Sequence, residues 1–191
     1  DEDLQEVQYF RPKKESPEIS YMLRNRERLG GFLPKRLTDS GRLRVPSLEI
    51  FKAQLDGSGE REISSTMAFV RILATLLRDK ELGRRIVPIV PDEARTFGME
   101  GMFRQLGIYS SEGQLYVPED SEELAAYKES DSGQVLEEGI TEAGAFAAWM
   151  AAATSYSNHQ FTLLPFYIFY SMFGFQRIGD LAWAAGDLQA K

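Results

Sequence analysis

Ile86-Val87-Pro88-Ile89-Val90, followed at once by Pro91-Asp92-Glu93, is the stretch on which the fold turns. A short apolar run of this kind makes a strand buried on both faces, and such strands belong to parallel sheets covered by helices. Working outward, Ser64, Ser65 or Thr66 can cap a helix in which Met67, Val70, Leu73 and Leu77 recur at three and four residues, ending at Gly83. Downstream, Leu163 to Phe169 is the next candidate for a buried strand. Between the two, Ala143, Phe146, Ala147, Met150, Ala151 and Thr154 mark the packing face of a small-residue helix, and a last helix from about Phe175 to Gln189 carries Ile178, Leu181, Ala182 and Ala185 on one face. Strands and helices alternate, so the fold class is α/β, a mainly parallel sheet flanked by helices. Strand order is not legible.

Upstream of the helix the pattern changes. Residues 1–62 are rich in charge and hold Pro12, Pro17, Pro34 and Pro46, so they read as an interdomain arm, with residues 63–191 as the domain proper. Within the arm, Ser16 as cap, Pro17 at the first position, apolar Ile19, Met22, Leu23 and Leu29, and Gly30 as terminator spell one short helix. Its Arg24, Arg26 and Arg28 read as a solvated face.

The 191 residues are 43% hydrophobic, enough for one core, and 22 basic residues against 29 acidic give a net charge of −7. Such a chain offers no field to draw a phosphate backbone, so nucleic acid is not an expected partner. There is no uncharged apolar run of membrane-spanning length, and the acidic start Asp1-Glu2-Asp3 lacks the features of a signal peptide. With no cysteine the chain suits a reducing cytoplasm. It reads as a fragment, starting without Met and stopping without a closing turn.

The single histidine, His159, and the lack of cysteine remove Ser/His/Asp, Cys/His and multi-histidine zinc schemes from this chain. His159 falls in the polar stretch Ser155 to Gln160 and reads as a surface loop residue. Neither Gly57-Ser58-Gly59 nor Gly98 to Gly101 spells a nucleotide-phosphate motif. What remains are carboxylates near strand ends and one aromatic run. Asp92 and Glu93 follow the strand at its carboxyl end, where α/β sheets gather ligands, although a helix-start charge or solvated turn is equally open. Glu142, in Gly139-Ile140-Thr141-Glu142-Ala143-Gly144, sits at the opening turn of an alanine-rich helix. A carboxyl there is either partly desolvated and suited to sharing a proton with a bound base, or a simple complement to the helix dipole. Glu137 and Glu138, one turn earlier, are its decoys. Phe166 to Phe175 holds six aromatic rings that either stack a flat heterocycle or merely pack.

Taken together, Asp92-Glu93-Ala94-Arg95-Thr96-Phe97-Gly98-Met99-Glu100-Gly101, the Glu138 to Gly144 stretch, and Tyr170-Ser171-Met172-Phe173-Gly174-Phe175-Gln176-Arg177-Ile178-Gly179-Asp180 closely resemble the bacterial homodimeric pyruvate dehydrogenase first component. The resemblance extends to Gly31-Phe32-Leu33-Pro34 in the arm and is weakest before about residue 20 and around residues 110–130. That family is a branch of the transketolase-like thiamine diphosphate enzymes, which implies a pyrimidine-binding domain facing the diphosphate-binding domain of a second subunit in a homodimer. By resemblance, Glu142 is the activating glutamate that hydrogen-bonds the aminopyrimidine nitrogen. Phe173 stacks on that ring, Tyr170 lines the same pocket, and Asp92 and Glu93 lie on the substrate side. Pyruvate is the implied substrate, and a lipoyl-bearing acetyltransferase component the implied acceptor.

Some of the family pattern is missing. The Gly-Asp-Gly diphosphate and magnesium motif has no match in Gly179-Asp180-Leu181 or Gly186-Asp187-Leu188, so Mg2+ would be held by the partner domain and no metal is expected here. His159 matches no active-site histidine of the family. A piece of this kind should be inactive alone and should expose apolar surface meant for subunit contacts. Two alternatives stay in view. One is another transketolase-like thiamine diphosphate enzyme, which would typically show Arg-Glu-His where this chain has Thr141-Glu142-Ala143; the other is a non-catalytic dimerisation module of the same fold.

Overall fold

The structure, a computed structural model, describes residues 11–31, 36–38, 40–92, 94, 97–119, 127–169 and 171–191. The chain separates into two compact units, Asp1–Arg36 and Leu37–Lys191. The first holds helix α1, Pro17–Arg28, capped by the Ser16 hydroxyl, which accepts from the Ile19 N–H at 3.4 Å. Pro17 opens the helix, where its missing N–H costs nothing, and Gly30 ends it at φ +93°, a left-handed turn that favours glycine.

The second unit is a three-stranded parallel sheet with helices on both faces. Its strands are β1 (Ile86–Val90), β4 (Leu136–Glu137) and β5 (Leu164–Tyr167) in the order β4-β1-β5. Ile86 pairs with Leu164 and Ile89 with Tyr167 on one side of β1, and Ile89 pairs with Leu136 on the other. A small parallel pair, β2 (Ile108–Tyr109) with β3 (Glu129–Ser130), completes the strands among the described residues. Pro88 occupies a central strand, normally an unfavourable place. Ile89 O accepts from the Ile168 N–H, so alternation turns Pro88 toward β4, whose pairing begins only opposite Ile89. Beside that gap the Gln134 amide donates to Ile86 O at 2.6 Å and to Gly83 O at 2.5 Å, sealing the strand edge.

The period of two sorts the side chains. Ile86 and Val90 of β1, with Leu164 and Phe166 of β5, join a cluster with Val70 and Leu73 of α3 (Ser65–Leu77) and with Met102 and Phe103 of α4 (Glu100–Leu106). On the other face Tyr167 packs with Phe146 of α5 (Glu142–Ala153) and with Ile178 and Ala185, the latter on α8 (Gly179–Asp187). Both faces of β1 are therefore covered, as its apolar run requires.

Several details differ from the sequence expectation. Helix α3, capped by Ser64 as expected, stops at Leu77 and does not reach Gly83: Asp79 Oδ1 accepts from the Glu81 and Leu82 N–H groups, each at 2.9 Å, and turns the chain. Strand β4 was not anticipated; two residues are too few to show a period. The expected packing face of α5 is only partly right. Phe146 is buried, but Ala143, Ala147 and Ala151 are exposed, and Ala145, Ala152 and Ala153 are buried instead. The helix is apolar all round, so its own sequence has no stripe to orient it. The last helix is two: α7 (Ser171–Gln176) closes with Arg177 and Ile178 N–H groups on Phe173 O and Phe175 O, Ile178 drops into the core, and α8 begins at Gly179. His159 is exposed, yet it ends a short helix α6 (Ser155–His159) rather than a loop.

Segment 37–62, given to the arm on sequence, contains a 3-10 turn (Leu48–Phe51) and α2 (Lys52–Leu55), and is tied to the second unit. The Leu37 N–H donates to Ser157 O at 2.9 Å, the Thr162 hydroxyl to Ser40 Oγ at 3.0 Å, and Arg44 bridges Asp79 and Glu81. Among the described residues no helix is long and apolar enough to cross a membrane.

Candidate functional site

Three parallel strands end on the same edge of the sheet, and the segment leaving each carries a residue singled out in the sequence. Asp92 follows β1, Glu142 opens α5 after β4, and Phe173 lies on α7 after β5. Strand direction alone thus brings to one edge residues as far apart in the chain as Asp92 and Phe173. Glu93 and Tyr170 lie outside the described residues.

Glu142 is set by its own helix end. Thr141 is the N-cap, its hydroxyl accepting from the Gly144 N–H at 3.2 Å, which makes Glu142 the first helical residue and fixes its backbone. Its carboxyl is largely covered, at 16% side-chain exposure. Arg177, 58% exposed, donates from Nη1 to Glu142 Oε1 at 2.6 Å. Oε2 has no hydrogen-bond partner among the described residues. The Arg177 guanidinium also lies 5.9 Å from the centre of the Phe173 ring, which is itself 54% exposed. A carboxyl oxygen and an open aromatic face therefore share one cation at the sheet edge.

Beneath them is a scaffold of rings. Phe146 stacks on Trp149 at 5.0 Å and meets Tyr167 edge-on at 5.3 Å, while Tyr167 stacks on Phe169 at 5.2 Å. The Trp149 indole donates to Pro165 O at 3.0 Å, pinning α5 to β5. The Tyr167 hydroxyl donates to Gly174 O at 3.1 Å, pinning α7 to the same strand. Burial, and then the charge of Glu142, pushes the Tyr167 phenol up to about 12, so it stays a donor through the physiological range. Gly174 must be glycine: a Cβ there would overlap the Phe169 side chain.

A second carboxylate group lies at the end of β4. Glu137 is half-buried, and burial, then the charges of Asp92 and Glu129, raises its carboxyl above the usual range. Glu129 Oε1 accepts from the Tyr116 and Tyr127 hydroxyls at 2.5 and 3.0 Å. Asp92 thus belongs electrostatically with Glu137. Glu138 is exposed and uses its backbone N–H to close the β1 edge on Val90 O at 3.0 Å.

Sequence reasoning missed Arg177, Tyr167 and the place of Glu137. Arg177 was quoted within the family-like run, but nothing in the spacing joins it to a carboxylate 35 residues away. Glu137 had one usable signal, a charge directly after an apolar residue in an extended segment. Among the described residues no three His, Asp or Glu side chains gather into a metal-binding group.

The arrangement can hold a planar, basic heterocycle between a carboxyl and a ring face. Residues 43–191 match the family described as the pyruvate dehydrogenase E1 component middle domain. Three similar proteins each bear the name pyruvate dehydrogenase E1 component. The one from Pseudomonas aeruginosa is 64% identical over 190 residues, covering all of this chain and 22% of that protein. Its counterpart in Escherichia coli (strain K12) is 53% identical over 192 residues, again all of this chain and 22% of that protein. That of Mycobacterium tuberculosis is 52% identical over 183 residues, 96% of this chain and 20% of that protein. The chain spans about a fifth of the length of these relatives.

Proposed function

The chain belongs to the pyruvate dehydrogenase E1 component middle-domain family, and on that premise we propose that it forms the aminopyrimidine side of a thiamine diphosphate site in a pyruvate-decarboxylating enzyme. The observation that carries this reading is Glu142 on the first turn of α5, mostly covered, with one carboxyl oxygen unengaged among the described residues and the exposed face of Phe173 tied to it through Arg177. These residues fit a flat ring with a basic nitrogen: a carboxyl to share a proton and an aromatic surface to stack.

When bound, thiamine diphosphate supplies the electron sink that lets a 2-oxo acid lose carbon dioxide. The chain supplies position and protons. Glu142 holds or releases one proton at the carboxyl oxygen facing the ring nitrogen. Phe173 stacks on the ring and Tyr170 lines the same pocket, while the aromatic layer of Phe146, Tyr167 and Phe169 keeps α5 and α7 in register beneath it. Asp92 and Glu93 lie on the substrate side, where the raised carboxyl of Glu137 is the neighbouring acid. Mg2+ and the diphosphate belong to the partner domain of a second subunit. Of the arm read over residues 1–62, the first unit, Asp1–Arg36, fits a connection toward such a domain. The exposed apolar side chains of Met172, Phe175 and Trp183, the last 80% exposed, suit a face that meets another subunit. Pyruvate, in the cytoplasm, is the substrate, and a lipoyl-bearing acetyltransferase component accepts the acetyl unit.

The test is made in the full-length protein that carries this chain, with thiamine diphosphate and Mg2+ titrated by calorimetry and pyruvate decarboxylation followed in parallel. Glu142→Ala should leave the fold intact and lower turnover about 10²-fold or more, the scale of a lost proton-transferring group. Turnover within a few-fold of the parent would defeat the assignment.

A further inference from the structure

On the far side of the unit from Glu142's strand ends, where α3 gives way to β1, lies a cleft of about 530 Å3 walled by residues 42–44, 80–82, 84, 85 and Phe161. Its charge runs against that of the chain. In a molecule of net charge −7, five cations line this cleft against the single carboxylate of Glu81. Two of the five are engaged. Arg44 bridges Glu81 at 2.7 Å and Asp79 at 3.3 Å, and Arg85 donates to Thr162 O at 2.9 Å while its guanidinium lies 4.2 Å from the centre of the Phe161 ring.

The other three, Arg42, Lys80 and Arg84, are exposed and have no hydrogen-bond or ion-pair partner among the described residues. Like charges gathered in one concavity repel each other unless an anion lies among them. The backbone that carries Lys80 and Arg84 is fixed: the Asp79 carboxylate accepts from the N–H groups of Glu81 and Leu82, and the Gln134 amide donates to Gly83 O and Ile86 O. The cavity volume falls in the range of small-molecule sites, and two guanidinium forks with an ammonium suit phosphoryl oxygens.

We infer that this cleft binds a phosphorylated small molecule through Arg42, Lys80 and Arg84, separately from the proposed cofactor site. The full-length protein, saturated with thiamine diphosphate and Mg2+ and freed of excess by gel filtration, is titrated with inorganic pyrophosphate and, in a second arm, with ADP. Saturable binding is expected. It should weaken about ten-fold or more in R42A/K80A/R84A and stay unchanged in R24A/R26A, which removes like charges from α1. Tighter binding of ADP than of pyrophosphate would identify a nucleotide, and equal binding a phosphate compound recognised without its ring; either upholds the site. Should the triple variant fold poorly by circular dichroism, Arg84→Gln alone carries the test, with a smaller loss of the same sign. Equal affinity in parent and variants, no saturable binding, or capture of an acidic peptide such as polyglutamate with none of pyrophosphate would overturn the inference.

Discussion

Phe146 and Phe173 are both aromatic, one buried and one exposed, and truncating each to alanine tests the proposed division between a supporting ring and a cofactor-facing one. Phe146 is 7% exposed, stacked on Trp149, edge-on to Tyr167, and clustered with Ile178 and Ala185. Removing a buried phenylalanine costs about 3–5 kcal/mol, and two well-formed ring pairs put this one at about 4 kcal/mol. Phe173 is 54% exposed and, among the described residues, its one ring contact is the Arg177 guanidinium at 5.9 Å, so Phe173→Ala should cost only about 0.5–1 kcal/mol. Urea unfolding of the 191-residue chain with Trp183→Phe as background, followed by the fluorescence of Trp149, is a direct assay because that indole is itself part of the Phe146 stack and Trp183 is exposed. For Phe146→Ala the midpoint should fall steeply with the slope unchanged. In the full-length protein the pattern should reverse, with Phe173→Ala weakening thiamine diphosphate more than it destabilises. Comparable stability losses for the two variants would refute the division between a supporting ring layer and an open binding face.

Two predictions concern pH. Burial raises the Glu137 carboxyl above its ordinary value of 4.5, so the stability tied to its protonated form is fully present below about that value and is lost as pH rises through the raised one. Glu137→Gln should therefore be more stable than the parent at neutral pH and gain little at pH 4; paired melting curves across that range check the sign, and an equal gain at both ends would contradict it. The Tyr167 phenol, near 12 in the fold against 10 when unfolded, makes the parent lose stability between those values, and Tyr167→Phe should flatten that window while forfeiting about 1 kcal/mol at neutral pH with the hydrogen bond to Gly174 O. Denaturant titration at pH 9 and 11.5 measures both effects.

By itself the sequence determined the elements whose signals are local. Ser16-Pro17 and Ser64 start helices because a hydroxyl can meet an orphan N–H a few residues on. Ile86–Val90 is a buried parallel strand because every position is apolar, and Thr141 places Glu142 on a first helical turn by the same capping chemistry. That Asp92 and Phe173 follow parallel strands is also held in the sequence, since such strands all discharge at one edge, but the strand that delivers Glu142 is not. Tertiary structure alone decided what depends on meetings across the chain. Helix α5, apolar on every side, could be oriented only by what packs on it, which is why Ala145 is buried and Ala147 is not. A two-residue β4 has no period to read and exists because Val90 and Ile89 offer it a ladder. The Glu142–Arg177 pair, the burial that raises Glu137, and the basic cleft between residues 42 and 85 join groups tens of residues apart, whose distances are set by packing.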